Sequence, residues 1–351
     1  MGPLALFAAS IFLFVIELCQ HVDGTGSKCD IYKGKWVYDA SYPLYNSSNC
    51  PFIHQEFSCQ NNGRPDHLYQ NFRWQPTSCN SPRFNGKDFL RKFRGKRIMF
   101  VGDSLSLNQW QSLTCILHRA VPGEAYISQR VEAISTFSFP AYGVSIMFIR
   151  NAFLVDIIND KDGRVLKLDS IEGGRNWKGY DVLIFNTWYW WLLTGTKQPW
   201  DYIQYNNITR KDMNRMVAYR KALGTWAGWV KHNVHPAKTK VFFQGVSPNH
   251  TDSREWGDPT TKTCRGETWP TLSTAYPSGP PAAQDVLKRA LRSVAKAVHL
   301  LDITGLSQLR KDGHPSAFGY GGHRGNDCTH WCLPGVPDIW NQLLFASLMQ
   351  N

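Results

Sequence analysis

The hydrophobic pattern from residue 96 onward consists of short apolar runs separated by longer amphipathic segments. The apolar runs predict strands, and they read KRIMFVGD (96–103), VSIMFIR (144–150), FLVDII (153–158), DVLIFN (181–186), KVFFQGV (240–246) and HLLDIT (299–304). Apolar positions at helical spacing predict one helix directly after the first run, two long helices over 213–234 and 282–299, and a C-terminal helix. Strands that alternate with helices of this length predict an α/β fold whose mostly parallel sheet is covered on both faces.

Two polar residues come directly at the ends of predicted strands, Ser104 after FVGD and Asn186 in DVLIFN. The carboxyl ends of parallel strands meet at one edge of a sheet, where the active sites of such folds gather, so we expect these side chains to lie close together. Ser104 also stands where a helix begins, and Ser or Asp at that position commonly caps the helix. A nucleophilic serine needs, in addition, a general base within hydrogen-bond reach and a third group that orients the base.

The segment GNDCTHWC near the C-terminus offers such a pair in Asp327 and His330. An Asp three residues before a His lets one short loop present an imidazole together with the carboxylate that holds its tautomer. On spacing alone, His314 and His323 are alternative bases. His314 precedes a proline, a setting typical of a structural turn.

The composition excludes a disordered chain, because 42% of the residues are hydrophobic, 13% aromatic and only 19% charged. The formal net charge of +12 favours polyanionic partners. Since no nucleic-acid-binding motif is present, we expect an acidic polysaccharide or an anionic membrane rather than nucleic acid. Three of the 14 tryptophans follow Asn186 closely and are candidates for stacking on sugar rings: Trp188, Trp190 and Trp191.

The N-terminal segment and the cysteines both indicate the secretory pathway. Residues 1–24 are predicted to be a signal peptide or a signal anchor, because the apolar run 4–19 is short for a membrane span and is followed by polar residues. Without Cys19 in that run, eight of the nine cysteines remain, which suits four disulfides. No CxxC pair occurs, so a zinc site is not expected. Three sequons would accept N-glycans, at Asn46, Asn207 and Asn249.

Several sequence blocks, in the right order, resemble one family. CDIYKGKWVYD, YNSSNCPFI, SCQNNGRPD and YQNFRWQPTSC in the Cys-rich N-terminal part, followed by GDS, FNTWYWW and DCTHWC, are similar to the plant trichome-birefringence-like polysaccharide O-acetyltransferases of the GDSL (SGNH) esterase superfamily. FSFPAYGVSIMFIRNAFLVD and GHPSAFGYGGH most resemble the pectin-associated powdery-mildew-resistance branch. The resemblance implies a three-layer SGNH-like catalytic domain over 91–351, preceded by a disulfide-rich loop subdomain over 25–90.

The resemblance also implies roles for individual residues. Ser104 matches the nucleophile, His330 the base and Asp327 the acid that orients it. Asn186 matches the oxyanion-hole amide, which acts beside the N–H of Ser104.

Two features depart from the family or superfamily pattern. Tyr189 stands where the family's NTxHWW block has a His, which affects acceptor contacts rather than the triad. The superfamily's oxyanion glycine has only Gly143 as a weak candidate here, and we assign it no role. The implied disulfides are Cys29 with Cys79, Cys50 with Cys115, Cys59 with Cys332, and Cys264 with Cys328.

The implied activity is transfer of an acetyl group to a hydroxyl of xylan, mannan or pectin through an acetyl-serine intermediate. The donor would be acetyl-CoA or another acetylated carrier, used as a co-substrate, with no bound cofactor and no metal. The implied place is the Golgi lumen, with the protein membrane-anchored or soluble, or secreted to the cell wall. A polysaccharide acetylesterase with the same triad and a non-catalytic wall-polysaccharide-binding protein are the alternative hypotheses.

Overall fold

The computed structural model describes residues 29–80, 82–258, 262–319 and 325–350. The predicted signal segment 1–24 and His323 lie outside these ranges. No helix within them is both long and apolar enough to cross a membrane. The described strands are Gly34–Tyr38 (β1), Phe72–Pro76 (β2), Arg97–Gly102 (β3), Ile127–Val131 (β4), Ile134–Phe139 (β5), Val144–Arg150 (β6), Asp156–Asp160 (β7), Gly163–Lys167 (β8), Val182–Phe185 (β9), Tyr202–Tyr205 (β10), Ile208–Arg210 (β11), Lys240–Gln244 (β12) and Val298–Leu301 (β13). The described α-helices are Gly86–Lys92 (α1), Ser104–Ala120 (α2), Arg215–Asn233 (α3), Ala282–Arg292 (α4), Thr304–Gln308 (α5) and Val336–Gln350 (α6).

The central sheet of the described chain has seven strands in the order β13-β12-β9-β3-β6-β5-β4. The strands from β13 to β6 run parallel, and the β4–β5 hairpin continues the sheet antiparallel. Along β3, Ile98 and Phe100 enter one hydrophobic core, whereas Met99 and Val101 enter the other. Burial on both faces explains why this strand reads as a continuous apolar run.

Helices cover both faces of this sheet. On one side α2 packs against β3, β6 and α6, and Leu107, Leu113 and Leu117 of α2 are buried there. On the other side α3 packs against α4, with Tyr219 and Trp226 of α3 buried. The predicted three-layer α/β fold with a mostly parallel sheet is therefore confirmed.

Four disulfides join Cys29–Cys79, Cys50–Cys115, Cys59–Cys332 and Cys264–Cys328, the pairs that the family resemblance implied. The second of them ties the N-terminal part to α2, and the third ties it to the segment before α6. The indole N–H of Trp36 in β1 also donates to the Leu306 carbonyl at 2.8 Å. The N-terminal part is thus fixed, covalently and by hydrogen bonding, to the two elements that carry the candidate site.

Two predicted elements differ from the structure. The run FLVDII is not a strand of the central sheet, because the chain turns at Leu154, which has a left-handed φ of 60° and donates its N–H to Asn151 Oδ1 at 2.9 Å. Only Asp156 and the residues after it pair, in a separate four-stranded sheet of order β11-β10-β8-β7. The helix predicted over 282–299 ends at Arg292, because the chain must turn before β13 pairs with β12.

Candidate active site

Ser104 is the first residue of α2 and lies directly beyond the carboxyl end of β3. The cap of this helix is Asp103, whose Oδ1 accepts from the Leu105 N–H at 2.9 Å. The capping role that was open to Ser104 is therefore filled by its neighbour. Gly102 lets the two strand ends approach each other, because a Cβ at that position would overlap the carbonyl oxygen of Asn186.

The His330 imidazole lies between the hydroxyl of Ser104 and the carboxylate of Asp327. Its Nε2 is 2.7 Å from Ser104 Oγ, and its Nδ1 is 2.8 Å from Asp327 Oδ2. A carboxylate can only accept here, so Nδ1 carries the hydrogen and the neutral ring offers the lone pair of Nε2 to the serine hydroxyl. Asp327 Oδ1 also accepts from the N–H groups of Thr329 and His330, each at 3.0 Å, which fixes the carboxylate.

The charges of this pair favour proton uptake by the ring. Burial acts to lower the pKa of His330, but the hydrogen bond and negative charge of Asp327 outweigh it, so that this pKa lies above its usual value. Burial acts to raise the pKa of Asp327, yet its hydrogen bonds and the charge of His330 lower it to about 2. Asp327 therefore stays ionised and stabilises an imidazolium.

Asn186 follows β9 directly and faces the same end of the sheet. Its N–H donates to the Val101 carbonyl at 2.9 Å, and its Nδ2 donates to Asp103 Oδ1 at 2.6 Å. An amide nitrogen has two hydrogens, so one is left for another acceptor. The N–H of Ser104, in the first turn of α2, has no acceptor within the helix either. Together these donors could stabilise a negative oxygen on an acyl group attached to Ser104.

Asn108 on α2 holds the loop that carries His330, and sequence reasoning missed it. Its Oδ1 accepts from the Trp331 N–H at 2.8 Å, and its Nδ2 donates to the Trp331 carbonyl at 3.1 Å. The disulfides through Cys328 and Cys332 flank the same segment. The residue after the imidazole is thus tied to the helix that begins with Ser104.

The alternative base His314 is fully buried and makes other contacts. Its Nδ1 lies 2.6 Å from the main-chain oxygen of His330, and its Nε2 lies 2.6 Å from Nδ1 of His250. Both ring nitrogens are therefore occupied, which leaves none to take a proton from Ser104.

The three candidate sugar-stacking tryptophans differ in exposure. Trp191 is 0% exposed, and its indole N–H donates to Thr187 Oγ1 at 2.9 Å, so no face is available to a sugar ring. Trp188 is buried against Tyr219, with ring centroids 4.9 Å apart. Trp190 is half-buried. The expectation that all three stack on a ligand is corrected accordingly, because Trp188 and Trp191 belong to the hydrophobic core.

The two departures from the family or superfamily pattern are also located. Gly143 precedes β6 and donates its N–H to the Pro140 carbonyl at 3.0 Å. Because β6 runs parallel to β3, Gly143 lies at the edge of the sheet opposite Ser104 and cannot supply an oxyanion donor. Tyr189 is half-buried and packs against the core on the α2 side of the sheet.

A cleft of about 400 Å³ lies beside the first turns of α2. Its apolar lining includes Leu107 and Trp110, and its basic lining includes Arg130 and Arg150. Arg150 ends β6 at the position paired with Gly102, which places it at the same edge of the sheet as Ser104. Among the described residues, no group of three or more His, Cys, Asp or Glu side chains is arranged to hold a metal ion.

Comparison with known proteins agrees with this geometry. Residues 81–347 match the GDSL/SGNH-like acyl-esterase family found in Pmr5 and Cas1p, and residues 27–80 match the Pmr5 N-terminal domain. The chain therefore belongs to the PC-Esterase family, whose described chemistry concerns acyl esters.

The similar curated proteins include trichome birefringence-like proteins of Arabidopsis thaliana. The chain is 58% identical to trichome birefringence-like 43 over 326 residues, which cover 92% of this chain and 89% of that protein. It is 56% identical to trichome birefringence-like 41 over 342 residues, or 97% of this chain and 96% of the relative. The similarity thus extends over both the N-terminal part and the sheet domain.

Proposed function

We propose that this protein is an O-acetyltransferase that moves acetyl groups onto hydroxyls of a plant cell-wall polysaccharide through an acetyl-Ser104 intermediate. The observation that carries the proposal is the continuous hydrogen-bonded series from Ser104 through His330 to Asp327, with Asn186 beside it. Membership of an acyl-esterase family supports the same acyl chemistry.

In the first half-reaction, Ser104 Oγ attacks the carbonyl carbon of the acetyl donor while its proton passes to His330 Nε2. The tetrahedral oxyanion receives hydrogen bonds from the Ser104 N–H and the Asn186 side chain, and the loss of one such donor typically costs about 10² to 10³ in rate. Collapse breaks the bond to the donor, which leaves with the proton from His330. Asp327 holds the ring and stabilises the transient imidazolium.

In the second half-reaction, a sugar hydroxyl attacks acetyl-Ser104. His330 takes the hydroxyl proton, the same donors bind the oxyanion, and the bond from the acyl carbon to Ser104 Oγ breaks as Ser104 regains a proton from His330. If water takes the place of the sugar, the identical steps hydrolyse the ester. Transfer therefore requires that an acceptor fill the space next to the serine.

The basic cleft beside α2 reaches the same edge of the sheet as Ser104 through Arg150, and is a suitable place for the part of the acceptor polymer beyond the reacting hydroxyl. Arg130 and Arg150 on its lining suit acidic wall polysaccharides, in agreement with the net charge of the chain. Trp190 is half-buried and is the most exposed of the three candidate tryptophans, since Trp188 and Trp191 are 7% and 0% exposed. The acetyl donor would be acetyl-CoA or another acetylated carrier.

The proposed compartment is the Golgi lumen, reached through the N-terminal signal segment, with onward secretion to the wall as a further route. Four disulfides support an oxidising environment. Asn46 and Asn207 are exposed and Asn249 is half-buried, which leaves the first two sequons accessible for N-glycans.

The test uses the full chain, made in a secretory host. It is incubated with an acetyl donor and, separately, with xylan, mannan or homogalacturonan oligomers, and the masses of the products are determined by mass spectrometry. We expect a gain of one acetyl mass on one polymer and an acetyl group on Ser104 when sugar is omitted. Loss of acetyl from acetylated oligomers, without gain on bare ones, would establish the esterase instead. Binding without either change, in the native chain and in Ser104→Ala alike, would establish the non-catalytic alternative.

A further inference from the structure

Two fully buried histidines, His314 and His250, are linked to the main-chain oxygen of the proposed base, His330. A chain of three contacts runs from the main-chain oxygen of His330 to His314 Nδ1 (2.6 Å), from His314 Nε2 to His250 Nδ1 (2.6 Å), and from His250 Nε2 to the Gln308 carbonyl (2.8 Å). His314 and His250 are 1% and 0% exposed. The proposed mechanism uses neither of them.

This series of three contacts has one hydrogen too few if both rings are neutral. Both ends are carbonyl oxygens, which only accept, so His314 Nδ1 and His250 Nε2 must each carry a hydrogen. A neutral pair has no third hydrogen, and two lone pairs would then face each other across the inner contact of 2.6 Å. One additional proton between the rings satisfies all three contacts, and buried polar groups are normally satisfied.

The surrounding charges bear on that proton. Burial lowers the pKa of both rings, that of His250 to about 4, so burial alone favours two neutral rings near neutral pH. The carboxylates of Asp312 and Asp327 act in the opposite direction, whereas Lys311 and a protonated His330 act in the same direction as burial. The 2.6 Å contact between the two ring nitrogens is the feature that favours one shared proton. The rings are otherwise enclosed by aromatic side chains, since His314 stacks on Trp331 at 4.0 Å and His250 contacts Trp256 and Tyr276.

We propose that His314 and His250 share one proton, and that His314 is a positioning residue whose Nδ1–H holds the main-chain carbonyl of His330. This inference rests on the proposed function, in which His330 is the base. Asp327 already holds the N–H and the ring of His330, so the carbonyl is the remaining anchor of that residue. With it fixed, the imidazole keeps its 2.7 Å contact with Ser104.

Two substitutions of His314 separate positioning from simple packing. His314→Asn places an amide N–H where the ring had Nδ1, whereas His314→Leu fills similar space with no donor. Both lose the stacking on Trp331 and the contact with His250, so both should be destabilised to a similar extent. The measurement is the rate at which a fluorophosphonate, which needs neither acetyl donor nor sugar, labels Ser104 in the full chain. Thermal unfolding of each variant is recorded alongside.

We expect labelling to slow about 10- to 100-fold in His314→Leu and to stay within about fivefold of the native rate in His314→Asn. Equal rates for the two variants, whether both native-like or both slow, would overturn the positioning role. A native chain that does not label on Ser104 would instead overturn the proposed function. Nitrogen-15 NMR of the histidines in the native chain should show one strongly deshielded N–H proton coupled to both rings and lost in His250→Gln. Two independently neutral rings would overturn the shared proton.

Discussion

Removal of the Asn108 side chain should loosen the link between the two halves of the candidate site without removing any of its titrating groups. Asn108 lies one turn after Ser104 on α2, is 0% exposed, and makes both of its hydrogen bonds to the main chain of Trp331, at 2.8 and 3.1 Å. In Asn108→Ala the N–H and the carbonyl of Trp331 lose these partners in the protein interior. The adjacent residue His330 then loses this main-chain support from α2 and keeps its 2.7 Å side-chain contact with Ser104.

The size of the effect follows from those two contacts. Each buried polar group left without a partner costs about 1 to 3 kcal/mol, so the loss of two partners should lower the free energy of unfolding by about 2 to 6 kcal/mol. A displacement of the base by about 1 Å can lower the rate of Ser104 acylation by about 10². Two disulfides still flank the loop, so we expect slowed chemistry rather than a lost site.

The matched control is Gln109→Ala, the next residue on the same helix. Gln109 is also 0% exposed, but its Nε2 donates at 3.2 Å to Asn341 on α6, away from the base loop. Denaturant unfolding and single-turnover acylation should show both variants destabilised and only Asn108→Ala slowed. If the two variants acylated Ser104 at the same rate, the idea that Asn108 positions the base would be refuted.

Three further predictions concern Asp312, His330 and Asn186. Asp312→Ala leaves the fully buried guanidinium of Arg310 without its two 2.9 Å hydrogen bonds, and should lower the free energy of unfolding by about 3 to 5 kcal/mol; a loss below about 1 kcal/mol in denaturant titration would contradict this. His330 must be neutral to act as the base, and its pKa is raised, so the acylation rate should fall as the pH falls, with a midpoint above 6.5. A midpoint well below 6.5 in the pH–rate profile would argue against His330 as the base. Asn186→Ala should lower the turnover rate about 10²- to 10³-fold without loss of acceptor binding. Steady-state kinetics and oligosaccharide titration measure the two quantities, and an unchanged rate would show that Asn186 is not an oxyanion-hole donor.

Local rules in the sequence predicted the parts of the site that lie at strand ends. The rule that parallel strands end at one edge placed Ser104 beside Asn186, and the spacing of Asp327 and His330 anticipated their hydrogen bond. The 2.7 Å contact between Ser104 and His330 joins positions 226 apart, so it depended on the family resemblance and not on any local pattern. The catalytic roles of these residues remain predictions.

Other features could not be predicted from the sequence, because they depend on which side chains the tertiary fold buries and brings together. The sequence of the aromatic run around Trp191 does not indicate whether its rings face solvent or the core. In the structure, residues of α3 pack in the same hydrophobic core as Trp191 and bury it. Asn108 is an unremarkable polar residue in a helix until Trp331 lies opposite it. His250 and His314 are 64 positions apart, and only the tertiary fold brings their rings together.

The Cys59–Cys332 disulfide, which spans 273 positions, has a consequence for how the protein is made. A chain is synthesised from its N-terminus, so Ser104 and Asn186 exist well before the loop with His330 emerges. The loop gains this disulfide only after Cys332 has been made and has met Cys59. If Ser104 and His330 act as proposed, a chain that stops before this loop would carry an inert serine, and activity would arise only after oxidation has joined the loop to the N-terminal part.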